Sequence, residues 1–152
     1  MATLKERIDA DLKDAMRSKN ELKTSVVRML KSAIKYKEVE PGASALDDAG
    51  IEKVIAGLIK QRRDSVDQFK AAGRDDLAQK EADEITILQA YLPQQLTADE
   101  LRAEVAAAIA AVGAKSAKEM GAVMKHLQPK VAGRAEGRLV SDEVKAQLAK
   151  LA

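Results

Sequence analysis

Three groups of residues in this sequence have types and spacing that could do chemistry. His126 is the one histidine in a chain without cysteine. A lone imidazole with no thiolate and no obvious acidic companion lacks a ligand set for zinc and an orienting partner for general-base work. A surface or cap role competes with both. The acidic pairs Asp47-Asp48 and Asp75-Asp76 could be read as paired carboxylates for acid–base catalysis. Both stand where helices are expected to begin, and there a carboxylate caps backbone N–H groups and complements the helix dipole.

The third group is Met120-Gly121-x-x-Met124 followed by Gly133-Arg134-Ala135-Glu136-Gly137-Arg138. Gly121, early in a helix, leaves room for another backbone to approach. Gly133 and Gly137 around Arg134 predict a tight turn that offers an arginine and free N–H groups to a phosphate. In the competing reading Arg134 pairs with a neighbouring carboxylate and the glycines only shape the turn. Lys118 and Lys125 lie near one face of the same expected helix.

Charge placement favours an anionic partner for this region. The net charge is only +2, and residues 1–96 are balanced at 17 basic and 17 acidic. Between Lys115 and Arg138, six basic residues face two acidic ones, a local excess of four. The candidate nucleic-acid contacts are Lys118, Lys125, Lys130, Arg134 and Arg138, with Gly121, Gly133 and Gly137 shaping the backbone. The alternative is a solvated face. A second basic stripe, Arg28, Lys31 and Lys35, lies on an earlier helix, and Lys60, Arg62 and Arg63 on the next. The aromatics are Tyr36, Phe69 and Tyr91 alone, so RNA binding would rest on phosphate contact and shape rather than stacking.

No glycine-rich phosphate loop and no Gly-x-Ser-x-Gly elbow is present, and nothing assembles a nucleophile, a base and an oxyanion site. The sequence therefore predicts no catalytic residues, no metal and no cofactor. The absence of cysteine excludes a disulfide framework. The N-terminus lacks the apolar core of a signal peptide. The longest apolar run, residues 105–112, is far short of the roughly 20 residues that span a bilayer. These features predict a cytoplasmic protein with no membrane partner.

The elements that must position these residues are all helical. Thr3-Leu4-Lys5-Glu6 is a capping box before a stripe of Leu4, Ile8, Leu12 and Met16. Asn20 can cap a second helix carrying Val26, Val27, Leu30 and Ile34, stopped by Pro41-Gly42. Asp47 or Asp48 opens a long third helix ending at Gly73, and a fourth runs from Asp75 or Asp76 to about Tyr91. Pro93 ends it. Thr97-Ala98-Asp99-Glu100 and Ser116-Ala117-Lys118-Glu119 are further capping boxes, and Ser141 caps a last short helix. The alanine run 106–111 predicts a close-packed helix. The reading is all-α: an N-terminal four-helix domain over 1–92, a hinge at 93–96, and a C-terminal three-helix bundle over 97–152.

In this order the residues resemble the GatB/YqeY family, whose members are similar to the tail of the B subunit of aspartyl/glutamyl-tRNA amidotransferase. The resemblance rests on Asp11-Leu12-Lys13-x-Ala15-Met16, Ser32-Ala33-Ile34-Lys35 and Lys60-Gln61-Arg62-x-Asp64-Ser65. It continues through Ala72-Gly73-Arg74-x-Asp76-Leu77, Tyr91-Leu92-Pro93-x-Gln95-Leu96, Met120-Gly121-x-Val123-Met124 and Gly133-Arg134-Ala135-Glu136-Gly137. Glu136 stands where the family pattern has Asp. The resemblance implies a larger N-terminal helical domain, a three-helix C-terminal domain, and a tail that grips tRNA while other domains carry out chemistry. It implies tRNA or another structured RNA as partner, with an amidotransferase or aminoacyl-tRNA synthetase as a second. The leading expectation is a non-catalytic tRNA-associated accessory protein. The alternatives are a protein–protein adaptor in translation and a component of a glutamine-dependent carbon–nitrogen ligase complex.

Overall fold

The computed structural model describes residues 2–151. Oxygen-bearing side chains close many of the helix starts. Thr3 accepts from the Glu6 N–H at the head of α1 (Leu4–Arg17), and Asn20 from Lys23 at the head of α2 (Glu21–Glu38). Asp47 accepts from Gly50 at the start of α3 (Asp48–Ala71). Each relieves one of the N–H groups that a helix leaves without an internal partner. Asp48 reaches across instead, accepting from the Leu4 N–H at 3.0 Å and tying the start of α1 to that of α3. The helix α4 (Asp75–Gln89) follows Gly73, whose φ of +73° turns the chain where a side chain would be strained.

The chain divides into two units, residues 1–92 and 93–152. In the first, short connections fold α1 on α2 and α3 on α4. The core is aliphatic, with Ile8, Val27, Leu30, Ile51, Ile55 and Leu88 at its centre. Each such side chain contributes roughly 1.5–3 kcal/mol by leaving water. The expected α1 stripe needs one correction. Met16 is half exposed, and Ala15 is buried in its place after Leu4 and Ile8. The last turn of α1 approaches its neighbours through a methyl group rather than a thioether.

In the second unit α5 (Ala98–Val112), a 3-10 turn at Ala117–Glu119, α6 (Met120–Val131) and α7 (Gly137–Ala149) enclose Val105, Ala108, Val123, Leu127, Val144 and Leu148. Thr97 and Glu100 form the complete capping box. The box expected at Ser116–Glu119 is replaced: Ser116 accepts from Lys118, and Glu119 takes the Lys115 N–H, so a 3-10 turn precedes α6. The helix α7 begins at Gly137, one turn before Ser141, which lies inside it. In the alanine run only Ala108 is fully buried; Ala106, Ala107, Ala110 and Ala111 face water and serve helix propensity rather than packing. No strand occurs among the described residues.

The end of α4 is fastened to α1 by a polar cluster. The Tyr91 hydroxyl donates to Asp11 Oδ2 at 2.6 Å. The Arg7 guanidinium lies 5.2 Å from the Tyr91 ring centroid and donates to the Ala90 carbonyl at 2.9 Å. Burial, then the hydrogen bond and charge of Asp11, raise the Tyr91 phenol far above its ordinary value. A pKa raised by folding gives stability that is complete below the unfolded pKa, about 10 for tyrosine, and that falls as pH rises beyond it. Tyr91→Phe is expected to cost about 1–3 kcal/mol at neutral pH in urea unfolding. The same variant should lose less stability than the parent chain in a titration above pH ~10.

Candidate nucleic-acid interface

The expected site residues belong to the second unit and fall into two structural groups. Gly121 and Lys125 lie one helical turn apart on the outer side of α6, opposite the buried Val123, Leu127 and Val131. Lys118 precedes them in the 3-10 turn. All three are exposed, and a Cβ on Gly121 would meet nothing within 4 Å. The glycine therefore serves no packing within its own unit; it leaves the surface low beside Lys125. Lys130 is also exposed, but five residues of helix carry it some 140° around the axis from Lys125. His126 is exposed on the same helix.

In the first unit some cations are paired with carboxylates, while others among the described residues, Lys53 and Lys60 beside the equally open Gly57 among them, are not. There Lys5 meets Glu38 at 2.7 Å, Lys31 meets Asp9 at 2.7 Å, and Lys37 meets Glu40 at 3.4 Å. Arg62 lies 3.8 Å from Glu84 with both side chains largely buried. Among the described residues Lys118, Lys125 and Lys130 have no carboxylate within ion-pair distance. Three exposed ammonium groups keep their full charge for an anion that approaches from solvent.

The second group, around Gly133, is an internal clasp. Gly133 takes a φ of +73° after α6. The Arg134 and Ala135 N–H groups both donate to the Val131 carbonyl, at 2.9 and 3.1 Å, so the turn does not direct them at a ligand. The Arg134 carbonyl accepts from the Leu96 N–H at 2.8 Å, and its guanidinium donates through Nε to the Gln94 carbonyl at 3.2 Å. Gln95 Nε2 donates to the carbonyls of Gly133 and Pro93, each at 2.8 Å. Residues 94–96, read from sequence as hinge, are thus bonded into the second unit. Neither sequence reading of Arg134 foresaw this use, because a contact across 40 residues leaves no local pattern.

The charge of Arg134 also reaches Glu100. The Thr97 N–H and then its hydroxyl hold that carboxyl below its ordinary value, and Arg134 adds to the effect. Gly137, exposed with open space around its Cβ position, and exposed Arg138 form the first turn of α7. That turn has no side-chain cap and no acidic residue, and Arg138 is held by an interaction of its own.

No cluster of three His, Asp or Glu side chains that could hold a metal ion occurs among the described residues. No helix among them is long and apolar enough to cross a membrane.

A family model described as Yqey-like protein matches residues 5–148. The chain belongs to the YqeY-like family. Its similar relatives include altered inheritance of mitochondria protein 41, mitochondrial, from Eremothecium gossypii, 42% identical over 82 residues, which are 54% of this chain and 45% of the relative. The protein of that name from Saccharomyces cerevisiae strain ATCC 204508 / S288c is 38% identical over 94 residues, 62% of this chain and 51% of the relative. The one from Lachancea thermotolerans is 39% identical over 90 residues, 59% of this chain and 48% of the relative. The YqeY-like chain spans about half the length of these relatives. Their names place them in mitochondria, which overturns the cytoplasmic assignment. An aliphatic helical composition reports how a chain folds and not where it resides.

Two outcomes are expected for the clasp. Gly133→Ala should destabilise the YqeY-like chain by about 1–2 kcal/mol in urea unfolding, the cost of a left-handed non-glycine residue. Because folding lowers the Glu100 pKa, its contribution is present above the unfolded carboxylate value and is lost as pH falls through the folded one. Glu100→Gln should flatten the acid limb of stability below pH ~4.3 in an acid titration of the melting temperature.

Proposed function

We propose that this YqeY-like protein is a non-catalytic, RNA-associated accessory protein whose second unit contacts the phosphates of tRNA or another structured RNA. The observation that carries the reading is the exposed pair Lys118 and Lys125, with no carboxylate in ion-pair distance among the described residues, beside an open Gly121. Lysines free of carboxylates displace counterions from a phosphate backbone without first breaking an ion pair. The low surface at Gly121 lets a backbone come close to Lys125. Arg134 contributes by fastening residues 94–96 and thereby fixing the entry to α5, rather than as a phosphate contact. Residues 1–92 and 93–152 act as separate domains, and only the latter supplies this contact.

The test is binding of the full chain to total tRNA across a salt series, beside Lys118→Glu/Lys125→Glu. Affinity is expected to fall about tenfold or more, and the slope of log affinity against log salt by roughly 2. Unchanged affinity and slope in the double variant would sink the reading.

A further inference from the structure

The three aromatic side chains have separate fates. Tyr91 is buried and Phe69 is packed against the core, but Tyr36 is 72% exposed. It lies on the outer side of α2, opposite the buried Val27, Leu30 and Ile34. That outer side presents Ser25, Arg28, Ser32, Lys35 and Tyr36, with one carboxylate, Glu21, in its first turn and exposed Val39 one turn beyond Tyr36. Lys31, which sequence grouped with Arg28 and Lys35, is neutralised by Asp9. Lys35 has no ion-pair partner among the described residues, and the Arg28 guanidinium lies 3.8 Å from the Met16 sulfur.

A second observation marks the start of the same track. Lys19 sits between α1 and α2 at a φ of +57°, the one non-glycine residue with positive φ among those described. Glycine would occupy that position without strain. Lys19 instead lines an open groove of about 570 Å³ with Met16, Glu21, Thr24, Ser25 and Arg28, two cations to one carboxylate. The left-handed residue belongs to the stop of α1, where the Asn20 N–H donates to the Ala15 carbonyl at 2.9 Å, and it leaves a cation at the edge of the groove.

We propose that the outer side of α2, from Lys19 to Tyr36, binds single-stranded nucleic acid. Tyr36 stacks on an unpaired base, and Lys19, Arg28 and Lys35 meet phosphates. The cations lie along one line, with Arg28 and Lys35 about 10 Å apart on the helix axis. The hydroxyls of Ser25 and Ser32 lie between them as donors to phosphate oxygens. Unpaired bases are required because a base inside a duplex offers no free face to an aromatic ring. This surface belongs to the first unit and does not depend on the α6 lysines.

The probes are labelled oligouridylate and oligodeoxythymidylate of about a dozen nucleotides, used with the full chain. Tyrosine emission should be quenched on binding, from Tyr36, since Tyr91 is buried against Asp11. Tyr36→Ser should weaken binding about tenfold, and Arg28→Gln and Lys35→Gln should each lower the salt slope by ~0.7. Lys19→Gly should raise the melting temperature yet weaken binding, a pairing that a merely structural lysine would not give. Preference for oligouridylate would name RNA as the ligand, and equal binding either strand. Unchanged affinity in Tyr36→Ser, or no binding of either probe at low salt, would overturn the inference and leave the tRNA result untouched. Loss of oligonucleotide binding in Lys118→Glu/Lys125→Glu with retention in Tyr36→Ser would also overturn it, by moving the contact to the second unit.

Discussion

Burial of branched aliphatic side chains is the interaction from which the rest of this structure follows. The first core is built from Ile, Leu, Val and Ala with one tyrosine, the second from Leu, Val and Ala, and no polar or charged residue is fully buried among those described. Small side chains let helices pack closely, but they supply no hydrogen bonds with which to fix helix ends or chain crossings. That work passes to polar groups at the margins of the cores. Asp48 joins the starts of α3 and α1, Tyr91 and Arg7 hold the end of α4 to α1, and Gln95 and Arg134 fasten the entry to α5.

The nearest approach to an interior charge shows the same division. Arg62 occupies the gap in the α3 stripe between Ile59 and Val66, where an apolar side chain would continue the spacing. Its guanidinium donates to the Leu58 carbonyl at 3.1 Å and lies near Met29 and Glu84, while Nε is buried without a hydrogen-bond partner. Such a pair adds little net stability, since desolvation offsets attraction. It penalises a rotated or shifted α3 or α4, which would leave either charge alone in an apolar setting.

Once the cores are aliphatic and the margins fix the crossings, the exposed helix faces are free of structural duty. Ion pairs cover part of the first unit, and among its remaining basic residues Arg28 and Lys35 lie on the same side of α2 as an exposed aromatic. On α6 of the second, lysines stand without carboxylates beside a glycine that packs against nothing. An exposed glycine within a helix costs roughly 1 kcal/mol against alanine, and folding offers no return for it.

The sequence by itself determined the helices, because capping residues and apolar spacing act over one or two turns. Asn20, Asp47, Thr97 and Gly73 did what their types require locally. It also located the basic segment, since composition is independent of fold. Local patterns failed where two signals competed within a turn: Met16 against Ala15, and Ser141 against a helix already begun at Gly137. What only the tertiary structure decided was which charges remain available. Lys31 and Lys125 look alike as residues on amphipathic helices, and only folding sets Asp9 beside one and leaves the other bare. Arg134 became a clasp, and Tyr36 rather than Phe69 or Tyr91 remained outside. Pairing and exposure depend on groups brought together from distant parts of the chain, and spacing along a helix carries no record of them.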